Sequence, residues 1–364
     1  MIPFMDLDAQ YRAVQEEIDE ALFKVIHSYK FINGPDVEAF ERNFALAQDV
    51  KYCVGCSSGT AGLHLAFEIL GLQPGDEVLV PTMTFIATSE ALRQVGARPV
   101  FVDIDPVSYN LDPAAIEHQI TSRTRAIVAV HLHGNPCAME PILAIAQRYQ
   151  LKIIEDCAQA HLAEYRGQKV GNFGAVAVFS FYPGKNLGAY GDAGALMTND
   201  AQLAERAALL ANHGRREKYV HLIEGYNYRL DTLQAAVLNV KLRYLPQWTR
   251  QRIENARLYH DLLCNLPIGL PEMTTEKKHV FHIFAIVTDR REKIIQQLRE
   301  HHVAYGIHYP LPLHRQPAYA SLGDVSGRLP VAEKLSDQFL SLPMYAELQP
   351  EQIEFVCNLI KKAF

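Results

Sequence analysis

Ala175-Val-Ala-Val-Phe-Ser180, continued by Phe-Tyr-Pro-Gly-Lys185-Asn-Leu-Gly-Ala-Tyr-Gly-Asp-Ala-Gly-Ala195, is an apolar strand that ends on a hydroxyl and enters a glycine-rich loop carrying one lysine. Similar apolar runs lie on both sides of it: Glu77-Val-Leu-Val80, Val100-Phe-Val102, Ala126-Ile-Val-Ala-Val130, Lys152-Ile-Ile154 and Gly194-Ala-Leu-Met197. Amphipathic helical stretches separate them. Short runs without strict alternation, spaced by helices, predict a mixed, mostly parallel sheet covered on both faces. From Thr232 to about Leu262 the periodicity is helical with one proline, Pro246, where the helix is expected to break or kink and lead into a smaller domain. That domain is expected to pair a strand at His279–Val287 with helices near Arg291–His301 and Glu351–Lys362. The division predicted is a large domain over 1–245 and a small α/β domain over 246–364.

Lys185 is the first candidate for chemistry. An amine held where backbone is tight and water is scarce stays partly neutral, and a neutral amine forms a Schiff base with a carbonyl; the ordinary alternative is a solvated loop lysine. Asp156 closes the run Leu151-Lys-Ile-Ile-Glu-Asp156, where strand ends meet ligands in open α/β sheets. A carboxylate there can pair with the pyridinium nitrogen of pyridoxal phosphate, although a helix N-cap uses the same residue type. Gln159 lies at the same mouth. Ser57-Ser58-Gly59-Thr60 runs directly into an apolar helical pattern, which outlines an anion cradle or, more plainly, a Ser/Thr cap. Phe85, in a polar turn after Glu77–Val80, can cover a flat ring or fill the core.

Together the stretches S-S-G-T, T-F-I-A-T, E-D-C-A-Q-A, S-F-Y-P-G-K-N-L-G and G-Y-N-Y-R-L-D-T-L-Q-A-A resemble the DegT/DnrJ/EryC1/StrS family of pyridoxal-phosphate-dependent sugar aminotransferases. Their order holds from Asp6-Leu-Asp near the start to Ser341-Leu-Pro-Met344. The resemblance implies fold type I, the aspartate-aminotransferase-like architecture. It implies that Lys185 anchors the cofactor, Asp156 pairs with the ring nitrogen, Gln159 contacts the ring hydroxyl and Phe85 stacks on the ring. Ser58, Gly59, Thr60 and Ser180 would hold the phosphate. In this family an asparagine of the neighbouring subunit also reaches the phosphate, and Asn227 matches it, so the resemblance implies a homodimer with shared active sites. Arg229, two residues on, is similar to the arginine that approaches substrate phosphates from that neighbour; a surface ion pair with Asp231 is the alternative. His308, Tyr309 and His314 in Gly306-Ile-His-Tyr-Pro-Leu-Pro-Leu-His314 match a segment lining the sugar-nucleotide end.

The implied reaction takes an amino group from L-glutamate, passes through the pyridoxamine phosphate form, and delivers nitrogen to a keto sugar for a surface polysaccharide such as lipopolysaccharide, or for natural-product glycosylation. Members with histidine in place of the lysine are dehydratases, so Lys185 implies transamination. The F-Y-P-G-K-N-L-G-A-Y-G-D-A-G-A segment is similar to the branch aminating nucleotide-linked 3-keto-6-deoxyhexoses. A 4-keto nucleotide sugar or an 8-keto octulosonate are the alternatives.

Composition fits and excludes. A chain of 364 residues, 49% hydrophobic and 21% charged, has the composition of a globular protein long enough for two domains. Its formal net charge of -6 argues against nucleic-acid binding. Cys53-x-x-Cys56 has no second pair, so no metal site is expected, and the six cysteines read as reduced thiols of a cytoplasmic protein. No leader or membrane span is expected. A regulator that keeps the fold would need a DNA-binding segment or a lost lysine. A dehydrogenase, suggested by Gly191-x-x-Gly194, lacks the G-x-G-x-x-G placed between strand and helix.

Overall fold

The computed structural model describes residues 1–323 and 327–364. Seven strands form the main sheet in the order Tyr52–Cys56, Gly194–Thr198, Val176–Ser180, Lys152–Asp156, Thr124–Val130, Glu77–Pro81, Arg98–Val102. Gly194–Thr198 is antiparallel to both neighbours, and the remaining pairs are parallel. Period-two alternation divides each strand between two faces. Val78 and Val80 join Leu63, Phe67 and Val178 on one side, under the helix Gly59–Ile69. Leu79, Ile127 and Ile153 face Met139 and Ile142 on the other. Ala177 and Phe179 extend that second side to Phe40 and Phe44 of the helix Pro35–Gln48, where Phe44 meets the Phe179 and Phe181 rings edge-on at 5.1 Å each.

A second apolar core gathers Ala256, Tyr259 and Leu263 with Phe284, Ile286, Leu298, Leu340, Leu342 and Val356, and it also takes in Ile2. Its two-stranded sheet pairs Phe284–Val287 antiparallel with Phe339–Leu342. Among the described residues no helix is long and apolar enough to cross a membrane.

Two expectations change. The helix Thr232–Leu263 runs through Pro246 without a break. Losing one backbone donor weakens a helix, but here both flanks are locked: Ala235, Leu238 and Leu245 sit in the core beneath the main sheet, and Ala256 and Tyr259 in the second core. The strand expected over His279–Val287 is confined to Phe284–Val287. Upstream, the Val280 N–H donates to the Gly134 carbonyl at 3.0 Å, and Phe281 has a φ of 46°, which extended pairing does not accept. The segment is therefore bent against the large sheet, and His282 is turned toward the strand ends.

Candidate active site

The carboxyl ends of the parallel strands open onto a cavity of about 560 Å³. Register places the acid: Asp156 is the last residue of its strand, level with Val130 on one side and Val178 on the other. The Thr88 hydroxyl donates to its Oδ2 at 2.8 Å, and the Ala158 N–H to its Oδ1 at 3.1 Å, so the carboxylate is oriented within a buried wall. One residue earlier, the Glu155 carboxylate points to the other face of the sheet. It accepts the N–H groups of Gly171, Phe173 and Gly174 at 2.8 Å each and Nε2–H of His131 at 3.1 Å. His131 Nδ1 is already accepting from the Cys137 N–H at 3.0 Å. Although His131, Glu155 and Cys157 lie close enough to hold an ion, these lone pairs are engaged, and the cluster braces the strand end that carries Asp156.

Lys185 enters from the loop after Val176–Ser180 and lines the same cavity. Burial pushes its amine down to about 8, with the Asp156 carboxylate opposing the shift. At the other end, Ser58 caps the helix Gly59–Ile69, its Oγ accepting from the Ala61 N–H at 3.1 Å. The first amides of that helix have no intrahelical acceptor. Thr60 and Ser180 stand beside them in the cavity wall. A β-carbon on Gly59 would lie 2.9 Å from Ser180 Cβ, so the cradle depends on glycine for its room. Phe85 is 56% exposed while lining the cavity, and its ring centre is 6.1 Å from that of Tyr309. Gln159 is held at both ends of its amide: Oε1 accepts from the His133 N–H at 2.5 Å, and Nε2 donates to the Tyr309 hydroxyl at 3.2 Å.

Pyridoxal phosphate, the group implied by the resemblance, fits this arrangement. Helix amides and two hydroxyls offer donors for a phosphate dianion, a partly neutral lysine and a fixed carboxylate line the same cavity, and the exposed Phe85 face can cover a ring.

The structure brings Ser58, Gly59, Thr60, Phe85, Asp156, Gln159, Ser180, Lys185, His308 and Tyr309 to one cavity. His308 Nδ1 lies 2.9 Å from the Ser341 hydroxyl, and burial moves its pKa down to about 4. Three candidates stand elsewhere. His314 is buried between the Thr82 hydroxyl at 2.6 Å and the Glu333 carboxylate at 3.0 Å, where it joins the large sheet to the helix Pro330–Gln338. Asn227 is exposed and its backbone bridges to Asn212. Arg229 donates from Nη1 to Asn212 Oδ1 at 3.1 Å, and its backbone bridges to Cys56.

Sequence reasoning missed Phe4, Met5, Thr88, Tyr182, Asp192, His282 and Ile283, which also line the cavity. Thr88 had a signal, a hydroxyl in the same polar turn as Phe85. Phe4 and Met5 had none, because their place depends on Ile2 bridging to Val303, far along the chain.

A model of the DegT/DnrJ/EryC1/StrS aminotransferase family matches residues 12–361. A pleiotropic regulatory protein of Geobacillus stearothermophilus is 44% identical over 366 residues, covering 100% of this chain and 98% of the relative. A dTDP-3-amino-3,6-dideoxy-alpha-D-galactopyranose transaminase of Aneurinibacillus thermoaerophilus is 45% identical over 362 residues, covering 100% of this chain and 99% of the relative. Among solved structures, S. venezuelae DesV in complex with a ketimine intermediate superposes with a TM-score of 0.97 at 43% identity, over 99% of this chain and 98% of that one.

Proposed function

The chain belongs to the DegT/DnrJ/EryC1/StrS aminotransferase family, and we propose that it moves an amino group from L-glutamate to carbon 3 of a nucleotide-linked 3-keto-6-deoxyhexose. It is a pyridoxal-phosphate-dependent aminotransferase of fold type I. The observation that carries the site assignment is one cavity holding Lys185 and Asp156, with a helix N-terminus, Thr60 and Ser180 at its far end. The choice of carbon 3 rests on the Aneurinibacillus relative, named for a dTDP-linked 3-amino-3,6-dideoxyhexose and similar over its full length. The regulatory name of the Geobacillus relative leaves this reading in place, because the lysine and the carboxylate that transamination needs are both present and face one cavity.

When bound, pyridoxal phosphate supplies an electron sink for the charge left on the donor carbon after its proton departs. The protein does the rest. Ser58, Gly59, Thr60 and Ser180 would hold the phosphate, Phe85 would cover the ring, and Gln159 would meet the ring hydroxyl. Asp156, fixed by Thr88 and Ala158, would pair with the ring nitrogen and favour its protonated form. Lys185 would anchor the group through Nζ, and the same amine would be the base for the donor's α-proton. Its lowered pKa makes both roles accessible near neutral pH.

Among the described residues lining the cavity, Lys185 is the one lysine or arginine. A nucleotide diphosphate and a donor carboxylate need further cations. They would come from a second copy in a homodimer, Arg229 of each chain supplying the charge and Asn227 a further donor to the other's site. The border between the two domains would lie at residue 246, supported by a core that apart from Ile2 is drawn from residues beyond it, and the enzyme would be cytoplasmic, supported by six free cysteines.

The test converts the enzyme to its pyridoxamine form with glutamate, removes the excess, and adds single keto sugars while the cofactor absorbance is followed. Recovery with the 3-keto nucleotide sugar alone is the expected result. Recovery with the 4-keto isomer alone, or with an 8-keto octulosonate alone, overturns the assignment to carbon 3.

A further inference from the structure

The helix Thr232–Leu263 buries one lysine completely, Lys241, which is 0% exposed. An enclosed ammonium is costly unless acceptors surround it. Lys241 Nζ donates to the Gly188 carbonyl at 2.8 Å and to Gln10 Oε1 at 2.9 Å, and it lies 4.2 Å from the centre of the Tyr190 ring. Both acceptors belong to segments that build the cavity.

Gly188 closes the loop that carries Lys185. Within that loop the Lys185 N–H donates to the Tyr182 carbonyl and the Ala189 N–H to the Phe181 carbonyl, each at 2.8 Å. A β-carbon on Gly188 would collide with the Pro183 carbonyl, so the turn has no slack. The long helix holds the loop a second time, through Gln234 Oε1, which accepts from the Tyr190 N–H at 2.8 Å. Gln10 belongs to the helix Leu7–Ala13, capped by Asp6, whose Oδ1 accepts from the Ala9 N–H at 2.9 Å. Directly before that cap, Phe4 and Met5 line the cavity, and Phe4 stacks on His308 with ring centres 5.6 Å apart.

We propose that Lys241 is a positioning residue for amino transfer, clasping the Lys185 loop to the N-terminal segment so that the reactive amine and the Phe4–Met5 wall keep fixed places relative to each other. It is not among the residues lining the cavity and acts through its two acceptors. A methionine or leucine would fill the same apolar volume without tying either segment. Burial lowers the amine to about 8, with the Glu347 carboxylate opposing, so the charge persists at neutral pH. The proposal rests on Lys185 as the reactive amine.

The test uses the full-length holoenzyme with Lys241→Met and Gln10→Leu, read by amide hydrogen exchange, by kcat and KM, and by pH titration of the lysine-bound cofactor absorbance. In Lys241→Met, exchange in 181–190 and in 1–13 should each rise about tenfold or more, as loss of a charged hydrogen bond opens a segment locally. Its kcat should fall about tenfold with donor KM within about twofold, and the absorbance midpoint should move. In Gln10→Leu, exchange should rise in 1–13 alone. Wild-type exchange in both segments, or an even rise across the whole chain, overturns the clasp. Should Lys241→Met fail to fold, wild-type exchange of 1–13 in Gln10→Leu overturns it equally. Exchange does not depend on the chemistry of Lys185, so a fully active Lys185→Ala would sink the site assignment and leave the clasp to be judged on exchange alone.

Discussion

The two walls of the cavity are built differently. Asp156 and Ser180 end strands of the main sheet, where register sets them, and Lys185 follows in a short loop tied through Gly188 and Tyr190 to the helix Thr232–Leu263. The opposing wall is assembled from Phe4 and Met5, His282 and Ile283, and His308 and Tyr309, three stretches far apart in sequence. Single side-chain or backbone bonds hold that wall: His133 Nε2 to the His308 carbonyl at 3.2 Å, Gln159 Nε2 to Tyr309 at 3.2 Å, and the Val280 N–H to Gly134 at 3.0 Å. A sheet-borne group is fixed by many cooperative bonds, and a loop-borne one by a few that can be cut separately. The first wall suits chemistry that tolerates no drift; the second suits recognition.

The comparison predicts a gradient of damage. Lys185→Ala should lower kcat by about 10⁴-fold or more with the thermal midpoint within a few degrees of wild type. Activity surviving near wild type, measured as 2-oxoglutarate released from glutamate, would break the distinction at its strongest point. Thr88→Val removes the donor to Asp156 Oδ2 and should cost about 1.5–3 kcal/mol of transition-state stabilisation, read as a fall in kcat for both half-reactions. Tyr309→Phe, on the opposing wall, frees the Gln159 amide and should raise KM for the sugar about three- to tenfold while kcat changes less. His314→Ala should leave kcat and KM within about twofold but lower the melting temperature, because its two partners join the sheet to Pro330–Gln338.

The pH dependence sharpens the same contrast. The Lys185 amine is lowered to about 8, so its neutral fraction grows as pH rises through that value. Cofactor capture by the apoprotein, followed by absorbance, should slow about tenfold from pH 7 to pH 6 and level off above about pH 9. His308 is lowered to about 4, so it stays neutral across this range and adds no second inflection.

How much of this was legible follows the same line. Lys185, Asp156 and the Ser58–Thr60 cradle could be read because each sits where a local pattern changes, from strand to loop or from polar turn to helix. Pro246 misled because the rule about prolines is local, whereas the helix is held on both sides by two cores. His314 misled in the opposite sense: it shares a proline-rich stretch with His308 and Tyr309, yet a 3-10 turn at Leu313–Arg315 directs it to Thr82 and Glu333.

The sequence by itself determined the alternation of strands and helices, the lysine and the carboxylate at strand ends, and the family, because period, residue type and order are properties of the chain read in line. Only the tertiary structure decided which distant segments close the cavity, that Lys241 joins the lysine loop to the amino-terminal residues, and that Thr88 fixes Asp156. Those contacts depend on where the folded backbone brings groups within about 3 Å of each other, and no local pattern encodes that distance.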